Sequence, residues 1–240
     1  QVMAGRLVEA IRAYGGEVRT RARVGKIRIE NGRVAGVTLH KDGRRIDAPI
    51  VISNADLKRT VTELVGADHF SQATVEHVNS YRMALPLFVV YLGLKTNLAE
   101  RALPNTNWFL YDSYDIDGMY AELDAGRMPE KDFIYLTVAS IKDPMNRHLA
   151  PEGYTNLQVM TLVPREYALW HVEKGPASGG RYHRDPEYRR RKTALAERLL
   201  AAAERVIPDL RKHIDWKEAA TPVTQERFTH STGGTSYGIE

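Results

Sequence analysis

Two turn dipeptides standing close together, Asn31-Gly32 and Asp42-Gly43, constrain this chain more than any other feature. Each supplies residues that tolerate positive φ, which a tight hairpin requires. They separate short apolar runs at 24–29, at 34–39 and at Ile46. The pattern predicts a three-strand antiparallel meander. It continues into Ala48-Pro-Ile-Val-Ile-Ser-Asn-Ala-Asp56, whose centre, 50–52, is apolar without a break. Unbroken apolarity predicts a strand covered on both faces, as in a layered α/β sheet. An amphipathic helix precedes the meander. Met3, Leu7, Ala10, Ile11 and Tyr14 share one face, and Gly15-Gly16 forms a left-handed stop.

Asn54-Ala-Asp56 is predicted to end the apolar strand and cap a helix over 57–65, closed by Gly66. A short helix is expected over 70–79. Aromatic and β-branched runs at 81–94, 108–111, 133–138 and 157–163 predict a second, mostly antiparallel sheet. Pro86 places the start of the first of these at an edge or bulge. A helix over 114–123 lies between them. Residues 174–184 read as a flexible loop. A long helix then spans 186–206, with Asp185 as cap and Pro186 in the first turn. Its core stripe is Leu195, Leu199, Ala202, Ala203 and Val206, and Pro208 ends it. The tail, 216–238, reads as strand and loop.

With 43% hydrophobic residues, 240 residues can bury one large core or two small ones. No apolar run is long enough for a membrane-crossing helix. The absence of cysteine excludes disulfides and thiolate metal sites, and fits a reducing compartment. Eight histidines are present, yet no His-Glu-x-x-His motif, so no metal site is expected. No Gly-x-Ser-x-Gly elbow marks a hydrolase, and Ser140-Ile-Lys-Asp-Pro144 reads as a turn. The net charge of +4 gathers in Arg181, Arg184, Arg189, Arg190, Arg191 and Lys192. Such a run fits a solvated helix start, a nucleic-acid patch or attraction to anionic lipid. No recognition motif or aromatic platform accompanies it, so nucleic acid is not the expected partner.

The segment from the first helix through Gly15-Gly-Glu-Val-Arg-Thr20, Val24-x-x-Ile27, Gly32-Arg-Val-x-Gly-Val37 and Ser53-Asn-Ala-Asp56 resembles flavoprotein oxidoreductases of the phytoene desaturase type. That group includes carotenoid isomerases and ketolases and the retinol saturases, within the wider flavin amine oxidoreductases. Ala139-Ser-Ile-Lys-Asp-Pro144, Leu149-Ala-Pro-Glu-Gly153, Thr221-Pro222 and Gly234-Thr-Ser-Tyr-Gly238 extend the resemblance along nearly the whole chain. It implies an α/β (α+β) fold: part of a Rossmann-like FAD-binding domain with the meander over 1–66, a substrate domain over 67–220, and a return segment over 221–240. The Gly-x-Gly-x-x-Gly turn that seats the FAD pyrophosphate is missing. So is the Gly-rich flavin segment near the carboxyl end. The resemblance therefore implies an internal piece of a longer enzyme, which alone is inactive and does not retain FAD.

The resemblance carries over few residues. Val24 matches the valine whose main chain meets the FAD adenine. Asn54 and Ala55 match a turn near the dinucleotide. Tyr237 and Gly238 lie in a loop that approaches the flavin ring. An isoprenoid or retinoid substrate wants an apolar, aromatic tunnel. Phe88, Tyr91, Phe109, Tyr111, Tyr135 and Met160, on the second sheet, are the candidates, although strand alternation turns some of them to a core. No catalytic acid or base is singled out. The chemistry implied is hydride transfer between flavin and a C–C bond, in a cytoplasmic protein able to touch a membrane surface. An amine oxidase and a non-catalytic scaffold are the alternatives.

Overall fold

The structure is a computed structural model and describes residues 2–101, 103–173, 175–176 and 181–240. Residues 174 and 177–180 of the predicted loop lie outside the described residues; 182–184 form a single 3₁₀ turn. The chain divides into two units, Gln1–Ser80 and Tyr81–Glu240.

In the first unit, α1 (Val2–Ala13) ends at Gly15, whose φ is +79°. The apolar stripe is uncovered: Met3 is 78% exposed, Leu7 59% and Ile11 44%. The meander forms as β1 (Val24–Glu30), β2 (Arg33–Leu39) and β3 (Arg45–Asp47), paired antiparallel in that order. Asn31 and Gly32 both take positive φ, the geometry that a two-residue hairpin needs. The predicted buried strand over 50–52 is absent. Ile50 is 76% exposed and Ile52 92%. A strand exists only where a neighbour completes its ladder, and among the described residues nothing pairs with this run. The following helix forms as α2 (Leu57–Arg59), continuing in π-helical turns through Gly66. Asp56, not Asn54, is its cap: the Asp56 carboxylate accepts from the Arg59 N–H at 3.0 Å. Then comes α3 (Gln72–Ser80).

The second unit is built on five strands: β4 (Leu87–Leu94), β5 (Asn107–Tyr111), β6 (Phe133–Val138), β7 (Thr155–Leu162) and β8 (Ile214–Ala220). Their order is β5-β6-β7-β4-β8, with every neighbouring pair antiparallel. β4 starts directly after Pro86, which has no N–H to give a ladder. The helices are α4 (Ile116–Asp124), α5 (Ala139–Lys142), α6 (Pro186–Ala203) and α7 (Pro222–Thr229). The core lies on one face of the sheet. Phe88, Val90, Leu92, Leu136 and Val159 meet Leu199, Leu200 and Ala203 of α6 there, all buried. Asp185 caps α6 by accepting from the Tyr188 N–H at 2.7 Å, and Pro186 fills the first turn. The tail is not strand and loop throughout. Thr221 accepts from the Thr224 N–H at 3.3 Å and Pro222 stands in the first turn, so α7 forms between β8 and the chain end.

The end of the chain is held by charge. Arg165 reaches Asp124 and Glu240, each at 2.7 Å. Arg82 reaches Asp124 at 3.1 Å and also pairs with Glu240. Main-chain bonds run alongside, from the Ala84 N–H to the Gly238 carbonyl at 2.8 Å and from the Glu240 N–H to the Arg82 carbonyl at 2.9 Å. The Arg165 hydrogen bond, followed by the charges of Arg82 and Arg165, holds the Asp124 carboxyl below its ordinary 3.8. A depressed folded-state pKa stabilises above the unfolded value and loses that stabilisation as pH falls through the folded one. Asp124→Asn is therefore expected to flatten the acid limb of stability below pH 3.8. Denaturant midpoints measured across that limb check it; parallel limbs for the two proteins contradict it.

Candidate functional site

Residues opposite one another in an antiparallel pair share a face. Val89 lies opposite Met160 and Ala220, and Tyr91 opposite Gln158 and Glu218. Met160 lies opposite Tyr135, Tyr135 opposite Phe109, and Phe133 opposite Tyr111. Tyr91, Phe109, Tyr111, Tyr135 and Met160 thus stand on one face of the sheet, away from the α6 core. Phe109 and Tyr135 have ring centroids 4.7 Å apart, and Tyr111 and Phe133 4.8 Å. This face is open: Phe109 is 58% exposed and Trp216 55%. Phe88 is not on it. It is fully buried in the core, stacked on Trp170 at 5.5 Å with 6° between planes. Phe88 and Tyr91 are an odd number of residues apart, so one strand cannot present both to the same side.

Over β4, β7 and β8 the open face deepens into a cavity of about 810 Å³. Leu87, Val89, Tyr91, Met160 and Ala220 make its floor; Tyr182 and Tyr188 make one wall and Thr224, Gln225 and Phe228 of α7 another. The walls are braced by polar bonds. Tyr188 Oη shares hydrogen bonds with the hydroxyls of Thr221 at 3.0 Å and Thr224 at 3.1 Å. Gln225 Nε2 donates to the Leu87 carbonyl at 2.6 Å, and Gln225 Oε1 accepts from Ser236 Oγ at 2.8 Å. Burial pushes the Tyr91 phenol pKa up, so it stays a neutral hydroxyl. The α7 wall escapes a sequence reading that runs the tail as strand and loop. The Thr-Pro cap signal at 221–222 was the available clue.

The arginine run is largely absorbed by the fold. Glu187 takes Arg190 at 2.7 Å and Arg191 at 2.6 Å, and these two bonds hold its carboxyl down at about 2. Lys192 pairs with Glu218 at 2.8 Å on the cavity rim. Arg189 gives its Nε–H to the His183 carbonyl at 2.9 Å.

In the first unit, Val24 begins β1, an edge strand of the meander. The neighbouring Arg23 carbonyl accepts from the His40 N–H at 2.8 Å, on the β2 side. Alternation turns the Val24 main-chain groups to the open edge, where a nucleotide base can be met by backbone alone. Asn54 and Ala55 are exposed on the extended segment after β3. In the second unit, Tyr237 is 76% exposed and Gly238 has φ +85°. Among the described residues no three His, Asp or Glu side chains gather as a metal site, and no helix is long and apolar enough to cross a membrane.

No family model matches the chain. It is 28% identical over 245 residues to a phytoene desaturase (lycopene-forming) of Paracoccus, covering 100% of this chain and 44% of that protein. To the all-trans-retinol 13,14-reductase of Macaca fascicularis it is 25% identical, covering 97% and 38%. To the chloroplastic prolycopene isomerase of Daucus carota it is 27% identical, covering 98% and 34%. The chain thus spans less than half the length of these relatives. The crystal structure of an oxidoreductase from Methanosarcina mazei shares the fold, with a TM-score of 0.55 and 20% identity over 89% of this chain and 40% of that one. Along essentially its whole length, this chain is a distant homologue of phytoene desaturase, all-trans-retinol 13,14-reductase and prolycopene isomerase.

Proposed function

We propose that this chain is the substrate-holding part, with some of the cofactor contacts, of an FAD-dependent oxidoreductase acting on a C–C bond of a hydrophobic isoprenoid- or retinoid-like substrate. The observation that carries the reading is the open aromatic face that runs into the cavity over β4, β7 and β8. Relatives named for phytoene, retinol and prolycopene support the same substrate class. Val24, Asn54 and Ala55 would hold the nucleotide end of FAD. Tyr237 and Gly238 would meet its ring. Bound FAD supplies the hydride chemistry.

The chain's own residues bind, orient and exclude water. Val89, Met160 and Ala220 remove water from a polyene's edge, and an apolar surface gains about 25 cal/mol for each Å² so covered. The rings of Phe109, Tyr135 and Tyr111 offer flat faces along which a conjugated chain can lie. Tyr91, protonated and half-buried, and Gln158 opposite it are polar marks on a mainly apolar floor. An amine substrate would ask instead for a caged nitrogen, and this continuous face favours an extended body.

All-trans-retinol fluorescence tests the reading on the 240-residue chain. Saturable enhancement is expected, and Met160→Asp should weaken it by about tenfold or more, because a carboxylate then stands on the apolar floor. FAD added to the same chain should be lost on gel filtration, since the pyrophosphate-seating turn is missing. Retinol binding indifferent to Met160→Asp, or flavin retained in stoichiometric amount, contradicts the assignment.

A further inference from the structure

The cavity has a chemical asymmetry that a pure hydrocarbon would leave unused. Its floor is mainly apolar, with Val89 5% and Met160 7% exposed beside the polar ends of Tyr91 and Gln158. Its rim is exposed and basic. Arg189, Lys192 and Arg227 line it against a single acid, Glu218. Glu218 is already taken by Lys192. Among the described residues neither Arg189 nor Arg227 has a carboxylate partner, whereas Arg190 and Arg191, on the same helix turn, share Glu187. Arg189 is positioned by its Nε–H bond to the His183 carbonyl. Arg227 lies 5.6 Å from the centroid of the Phe228 ring. These two arginines reach the cavity from α6 and α7, whose first turns are joined by the Tyr188 hydroxyl.

From this we infer that the cavity takes an amphiphile: a long apolar isoprenoid-like body on the Val89–Met160 floor, and an anionic head, carboxylate or phosphate, held at the rim by Arg189 and Arg227. The inference rests on the substrate-site reading above and narrows it. A planar guanidinium matches the paired oxygens of either anion, and a charged head keeps its solvation at the mouth while the body is desolvated. The surplus of positive charge at the mouth also draws the anionic end in first and so sets the direction of entry.

The test holds the body constant and changes the head. All-trans-retinoate is compared with its methyl ester, and farnesyl monophosphate with farnesol, by tryptophan quenching on the full chain below micellar concentrations. At least one acid should bind about tenfold or more tightly than its uncharged counterpart, as a charge-assisted bond requires. Arg189→Gln and Arg227→Gln should each reduce that preference, the double variant should abolish it, and the uncharged ligands should bind the variants as they bind the parent. Circular dichroism of each variant confirms folding. Equal binding of acid and neutral forms overturns the inference and leaves the apolar site standing. No binding of any of them overturns both. Arginine-dependent adsorption to phosphatidylserine vesicles, without any head-group preference in solution, also overturns it, because the rim then serves a lipid surface.

Discussion

Phe88→Ala is expected to cost the second unit about 3–5 kcal/mol of stability, the range for deleting a fully buried aromatic ring. Phe88 has no exposed surface and lies flat against Trp170, itself 2% exposed. Neighbours held by a sheet on one side and α6 on the other cannot close such a hole completely. Tryptophan fluorescence in denaturant reads the effect cleanly, because Trp108, Trp170 and Trp216 all lie in this unit. The midpoint should fall with the slope unchanged. Retinol affinity of the folded variant should not change, since the ring points away from the open face. Phe109→Ala gives the mirror result: its side chain is 58% exposed, so stability drops by roughly 1 kcal/mol, about the worth of an aromatic pair, while ligand binding weakens. Lost binding with intact stability in Phe88→Ala would return Phe88 to the site and refute the face assignment.

That contrast shows what was legible in the residues and what was not. Strand alternation alone separates Phe88 from Tyr91. Which of the two faces the core depends on where α6 packs, and no local pattern carries that. β6 is readable to its last residue because Phe133, Tyr135, Val138 and their neighbours fill both sides of a central strand with β-formers. β8 is harder. Ile214-Asp-Trp-Lys-Glu-Ala-Ala220 alternates only as far as Lys217 and breaks at Glu218, and the whole strand exists because β4 offers a ladder along it. The opposite failure occurs at 50–52, where apolar content is high and, among the described residues, no ladder is offered. The rim arginines, Arg189 and Arg227, lie far apart in the chain and come to line the same cavity only through the return of β8 into α7. The Arg181-to-Lys192 run was visible as charge, but which of its members Glu187 and Glu218 would absorb depends on helix register and on β8.

The adjacent pair Gly233 and Gly234 permits a sharper experiment, since both have positive φ, +70° and +65°. A Cβ on Gly233 would meet nothing within 4 Å. A Cβ on Gly234 would lie 2.0 Å from the Pro222 carbonyl oxygen, a backbone atom in the first turn of α7 that cannot swing aside. Gly233→Ala therefore carries only the cost of a left-handed alanine, about 1 kcal/mol. Gly234→Ala adds a steric collision, for a total of roughly 2–5 kcal/mol. Its relief must move α7, the segment leading to Tyr237, or both. Moving α7 carries Thr224, Gln225 and Phe228 with it, so the cavity wall opens and retinol affinity falls along with stability. Gly233→Ala should leave that affinity unchanged. Should the two variants prove equally stable and equally able to bind, the close passage of Gly234 across Pro222 is not what braces the cavity wall, and the polar bonds from Gln225 to Leu87 and Ser236 must hold it unaided.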